Sequence, residues 1–92
     1  MNDAPEVARR VGELILANLD VRPPRGGIDA NTPLFDGGLG LDSFGVVELI
    51  SALEADFAVQ FRESDFREEN FRDVGALANL VERCRRREDN LR

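Results

Sequence analysis

Leu34-Phe35-Asp36-Gly37-Gly38-Leu39-Gly40-Leu41-Asp42-Ser43-Phe44 is a glycine-rich loop that runs without a break into an amphipathic segment, Val46 to Phe57. The junction is Asp42-Ser43. Both residue types make good helix N-caps, because a side-chain oxygen can accept a hydrogen bond from the otherwise unpaired N–H groups of the first turn. The pattern therefore predicts a helix that begins at Ser43, with the serine hydroxyl on the outside. A helix N-terminus also favours negative charge, phosphate included. One serine presented this way, in a chain of 92 residues that is small for an enzyme, points to a place of attachment.

From Ser43 the helix should run to Phe57. Val46, Leu49, Ile50, Leu53 and Phe57 recur at helical spacing and form its expected buried stripe. Glu48, Ser51, Glu54 and Ala55 fall on the other side. Val47 falls with them, although it is apolar and β-branched. Beside Glu48 and Ser51, and one turn from Ser43, it reads either as a single exposed valine or as part of a docking surface.

Upstream, Asp3 can cap a first helix, with Glu6 three residues on as in a capping box and Pro5 tolerated in the first turn. Val7, Val11, Leu14, Ile15 and Leu19 make its apolar face, over about residues 4–19. Pro23-Pro24 and Gly26-Gly27 end it. The connection from Gly27 to Leu41 is long for a compact domain. Its irregular Ile28, Leu34, Phe35, Leu39 and Leu41 read as a loop pinned to a core.

Downstream, Val59 and Phe61 return to the core through an extended segment. Ser64-Asp65 can cap a short helix carrying Phe66, over about residues 64–69. Asp73 can cap a last helix, about 73–87, with Val74, Leu77, Ala78, Leu80, Val81 and Cys84 as its stripe. Gly75 weakens that helix by up to about 1 kcal/mol against Ala, a cost that close packing would explain. Arg83, Arg85, Arg86 and Arg87 complement the dipole at its end. Residues 88–92 read as a frayed tail. No strand pair stands out. The fold class is all-α: a single domain of three main helices and one short one, with a long loop between the first two.

Composition removes whole classes of function. The chain has no His and no Lys, so neither a Ser-His-Asp machine nor a P-loop can be built. One cysteine excludes an internal disulfide and makes no zinc site; it fits a reducing, cytoplasmic setting. No secretory signal is visible and no apolar run is long enough for membrane insertion. With 42% apolar and 33% charged residues the chain reads as globular, and at net charge −6 it is not a nucleic-acid binder. Between Gly26 and Phe61 every charge is acidic: Asp29, Asp36, Asp42, Glu48, Glu54 and Asp56. The bland reading is a solvated acidic face. The sharper one is a surface that steers basic partners to Ser43.

Gly38-Leu39-Gly40 has no preceding strand and lacks the third glycine of a dinucleotide fingerprint. Gly40 to Gly45 is not a nucleophile elbow. What remains is Gly40-Leu41-Asp42-Ser43-Phe44, followed by Val46-Val47-Glu48-Leu49. Here the chain resembles the acyl carrier protein family, whose hallmark is a Gly-x-Asp-Ser-(Leu or Ile) start to the second helix. Leu34-Phe35, Leu53-Glu54, Phe57 and Phe71-Arg72-Asp73-Val74 also match, so the resemblance spans nearly the whole chain.

The resemblance implies a small four-helix carrier bundle that is not itself an enzyme. A phosphopantetheinyl transferase would move 4′-phosphopantetheine from coenzyme A onto Ser43, with Asp42 serving transferase and magnesium recognition. The arm would carry an acyl or aminoacyl group as a thioester between a loading ligase and downstream transferases. Phe44, Val47, Glu48, Ser51 and Glu54 are the implied partner-binding residues, and a monomer is expected. Phe44 departs from the usual Leu or Ile. Gly45 and Ala55 stand where fatty-acid carriers often have acids, and Ser51 where an exposed apolar residue is common. These departures lean toward a specialised pathway rather than housekeeping fatty-acid synthesis. The reading from a different class is a helical interaction adaptor in which Ser43 is only an N-cap.

Overall fold

Helical spacing of apolar residues produces three helices: α1 over Ala4–Asn18, α2 over Ser43–Phe57 and α3 over Val74–Asn90. The computed structural model describes residues 4–90, so the expected cap at Asp3 lies outside the described residues. Between α2 and α3 stand two short 3-10 turns, Glu63–Asp65 and Glu68–Phe71. Among the described residues there is no strand, only an isolated antiparallel bridge between Pro33 and Asp73.

The core is built chiefly where α1 meets α3. Val7, Val11, Leu14, Ile15 and Leu19 are all buried, as are Val74, Leu77, Ala78, Leu80, Val81 and Cys84. Both stripes therefore face inward as their periodicity predicts. In α2 the outcome differs. Only Leu49 and Leu53 are buried, while Val46, Ile50 and Phe57 stay half-open. The guanidinium of Arg85 lies 5.8 Å from the centre of the Phe57 ring and covers part of it. At the outer side, Arg10 of α1 donates through Nε to Asp56 of α2 at 3.0 Å. That contact ties the two helices and holds the Asp56 carboxyl below its ordinary range.

The long first loop is pinned through its backbone as well as its side chains. Leu34 N–H donates to the Arg72 carbonyl, Val74 N–H to that of Thr32, and Gly75 N–H to that of Ala30 at 2.7 Å. This explains Gly75: a Cβ there would stand 2.9 Å from the Ala30 oxygen. Leu34 and Leu39 are buried, and Ile28 and Leu41 pack on the core. Phe35 does not follow them. Its ring faces outward, because the turn after it folds back on Pro33. A Cβ at Gly38 would lie 2.1 Å from the Pro33 carbonyl oxygen, so only glycine fits that turn.

Two further expectations are corrected. The short helix at 64–69 is replaced by the two 3-10 turns, because Phe66 at φ −85° and ψ 66° leaves helical space. Its ring takes a place between Phe61 and Phe71, edge-on to the first at 6.3 Å and stacked on the second at 6.0 Å. At the other end, α3 continues past residue 87 through Glu88 and Asp89 to Asn90. No Gly or Pro stops it, and Arg87 anchors its last turns to Asp65 and to the Gln60 carbonyl.

Candidate functional site

The start of α2 is set by Asp42. Its backbone is extended, and its Oδ1 accepts the Gly45 N–H at 2.8 Å. The cap is thus Asp42 and not Ser43, which corrects the idea that Ser43 serves as the N-cap. Ser43 is the first helical residue and is exposed. Among the described residues its hydroxyl makes no hydrogen bond. Gly40, at φ +64°, turns the loop so that Leu41 enters the core and Asp42 reaches the cap position.

Two hollows flank this helix start. One is an open apolar groove of about 710 Å³. Ser43, Val46, Val47, Ile50 and Ser51 form its floor along one flank of α2, and the rings of Phe35 and Phe66 form its walls. Phe35 is 39% exposed, Phe66 49% and Val47 61%, so three apolar side chains are held in solvent around one serine. The other hollow is smaller and more polar, about 440 Å³, and includes Arg22, Leu41, Asp42, Phe44, Gly45 and Glu48. Among the described residues Phe44 is the most exposed large apolar one, at 71%.

The residues that sequence reasoning singled out are therefore split. Val47 and Ser51 share the groove with Ser43. Phe44 and Glu48 lie on the opposite side of the helix start. Glu54 stands apart from both and is only half-open. One of its carboxylate oxygens accepts the Phe61 N–H at 3.0 Å, so it holds the chain that follows α2 and is not the exposed charge expected. The groove walls, Phe35 and Phe66, were not foreseen. One signal was present: Val46, Val47 and Ile50 widen the apolar arc of α2 beyond a single buried stripe.

Elsewhere the ionisable groups are structural. Burial and the nearby Asp65 carboxylate push the Cys84 thiol up to about 11, which makes it a poor nucleophile at neutral pH. The Arg87 guanidinium holds Asp65 below its ordinary value. No group of metal-ligating side chains occurs among the described residues.

A family model described as "Phosphopantetheine attachment site" matches residues 9–81. The chain belongs to this family, the acyl carrier proteins. No curated protein matches it significantly. Among solved structures, a holo acyl carrier protein from Nitrosomonas europaea is similar, at 26% identity and a TM-score of 0.62. The match covers 90% of this chain and 95% of that one. The prosthetic group of such carriers is covalent 4′-phosphopantetheine, and the residues here fit it. A primary alcohol stands free at a helix N-terminus, where the unpaired amides and the dipole favour a phosphodiester. An apolar groove begins beside it. No helix of the described residues in this carrier is long and apolar enough to cross a membrane.

Proposed function

We propose that Ser43 is the attachment residue, that Asp42 serves recognition by the transferase and its magnesium, and that the chain is a non-catalytic carrier. The observation that carries this reading is the division of labour at the start of α2. Asp42 takes the capping hydrogen bond, which leaves the Ser43 hydroxyl exposed and uncommitted. With no histidine in the chain, activation of that hydroxyl has to come from the partner. When bound, the group supplies a terminal thiol for a thioester. The protein's part is to present Ser43, to offer a favourable N-terminal field for the phosphodiester, and to hold apolar surface beside it.

The carried group is acyl or aminoacyl, loaded by a ligase and passed to downstream transferases. A specialised pathway is favoured over housekeeping fatty-acid synthesis. With Glu54 bonded to the Phe61 N–H and the exposed Asp56 paired with Arg10, Glu48 is the acid of α2 left to face a partner. Such a surface draws on Val47, Ser51 and Phe44 for contact more than on a dense acidic row. The carrier is read as a cytoplasmic monomer with no nucleic-acid partner.

Intact mass after incubation with coenzyme A, magnesium and a broad-specificity phosphopantetheinyl transferase tests this. One added phosphopantetheine is expected on the native chain and none on Ser43→Ala, with the helical circular-dichroism spectrum unchanged. A native mass that stays the same across several transferases defeats the proposal.

A further inference from the structure

The segment from Ala58 to Asp73 contains only two 3-10 turns, yet it supplies one wall of the groove beside Ser43. Its polar attachment converges on one carboxylate. Asp65 is 7% exposed and accepts the Arg62 N–H at 2.7 Å and two N–H groups of Arg87, at 3.0 and 3.3 Å. The Cys84 thiol also points to it, at 3.7 Å. The same Arg87 Nη2 donates to the Gln60 carbonyl at 3.2 Å, so one guanidinium of α3 grips the segment at Gln60 and at Asp65. A lighter tie lies beyond it. The Asn70 side chain donates to the Asp65 carbonyl at 2.9 Å and accepts from Arg83 at 2.9 Å.

Phe66 follows Asp65 directly. Its ring rests between those of Phe61 and Phe71, which are both buried, and its exposed half is the groove wall. We infer that Asp65 and Arg87 are positioning residues for the groove. Their ion pair latches the 58–73 segment to α3 and so fixes the Phe66 ring opposite Val47 and Ile50. The last turns of α3 thereby set the width of the hollow beside Ser43.

Charge-assisted bonds to a shielded carboxylate are strong. Against them, the Arg87 Nε–H is buried without an acceptor among the described residues. That unsatisfied donor opposes the closed state and is hydrated when Arg87 swings out. Any bearing of groove width on what Ser43 carries rests on the carrier reading above; the placement of Phe66 does not.

The test uses the full unmodified chain, so its outcome is independent of the mass experiment. Arg87→Ala is expected to speed amide exchange at Phe61, Asp65 and Phe66 by about tenfold or more over any change at Leu53 and Leu77. The methyl resonances of Val47 and Ile50 should shift with it, as the Phe66 ring moves. Asp65→Asn should shift the same methyls in the same direction, and Arg87→Lys should return part of the native pattern. Exchange that rises equally at Leu53 and Leu77 would make the pair a general stabiliser and overturn the inference. So would groove methyls that stay in place in both Arg87→Ala and Asp65→Asn.

Discussion

In the α1–α3 pair the facing stripes are buried throughout, from Val7 through α1 to Leu19 just past its end, and from Val74 to Cys84 on α3. On α2, a helix of similar length, the burial reaches only Leu49 and Leu53. Val46 and Ile50 sit half-open beside it, and Val47 stands in solvent. The difference shows where stability is concentrated and where surface is left over. α1 and α3 hold each other through a continuous apolar seam. α2 is fastened along one line of leucines, by its Asp42 cap and by the Arg10–Asp56 contact. Its other flank is left to the groove that starts at Ser43.

The largest expected effects come from cutting the seam in one variant and the line of leucines in another. Leu77→Ala and Leu53→Ala should each lower stability by about 2–5 kcal/mol, because both side chains are fully buried. Denaturant unfolding measures this. If Leu53→Ala cost less than about 0.5 kcal/mol, as surface sites do, Leu53 would not face the core and the helical phase of α2 would be wrong.

Next in size is Asp65→Asn, which loosens the segment between α2 and α3. A buried hydrogen bond to a charged group contributes about 1.5–3 kcal/mol, and a loss in that range is expected at neutral pH. The pH dependence follows from the lowered carboxyl pKa. In the unfolded chain the group titrates near its ordinary value of 3.8, and in the folded chain lower, with the Arg87 bond as the main cause. The unfolded state therefore takes up the proton first as pH falls. The stabilisation is full above that ordinary value and is lost as pH drops through the folded one. The gap between native chain and Asp65→Asn should narrow only on that acid side. A gap of constant size along the whole acid limb would show that the charge plays no part.

The smallest effects belong to the open flank. Ile50→Ala should cost less than either buried leucine, about 1 kcal/mol, since only part of its surface leaves water. Val47→Ser should change stability by no more than about 0.5 kcal/mol. A cost for Val47→Ser as large as that of Leu53→Ala would erase the distinction between the two flanks of α2.

Much of this was legible because it is local. Helix phase in α1 and α3 follows from spacing alone. The place of Ser43 at a helix start follows from the residues on either side of it, and Asp73 caps α3 through the Ala76 N–H as its position predicts. Two of the readings that failed depend on how the chain folds back on itself. Glu54 looked like a free acid, but it meets the Phe61 N–H after the chain reverses at Ala58. Asp65 looked like the cap of a short helix, but its carboxylate is claimed by Arg87 from α3.

The sequence by itself determined the all-α class, the order of the helices, the inward faces of α1 and α3 and the exposed serine at the head of α2. Each depends on contacts within a turn or two of chain, where period and capping chemistry suffice. Only the tertiary structure decided that two of the three acids on α2 are engaged by other parts of the chain, and that a groove exists at all. Its walls are Phe35 from the first loop and Phe66 from the second. No local rule brings those two rings to the same side of one helix; the burial of Leu34, Phe61 and Phe71 around them does.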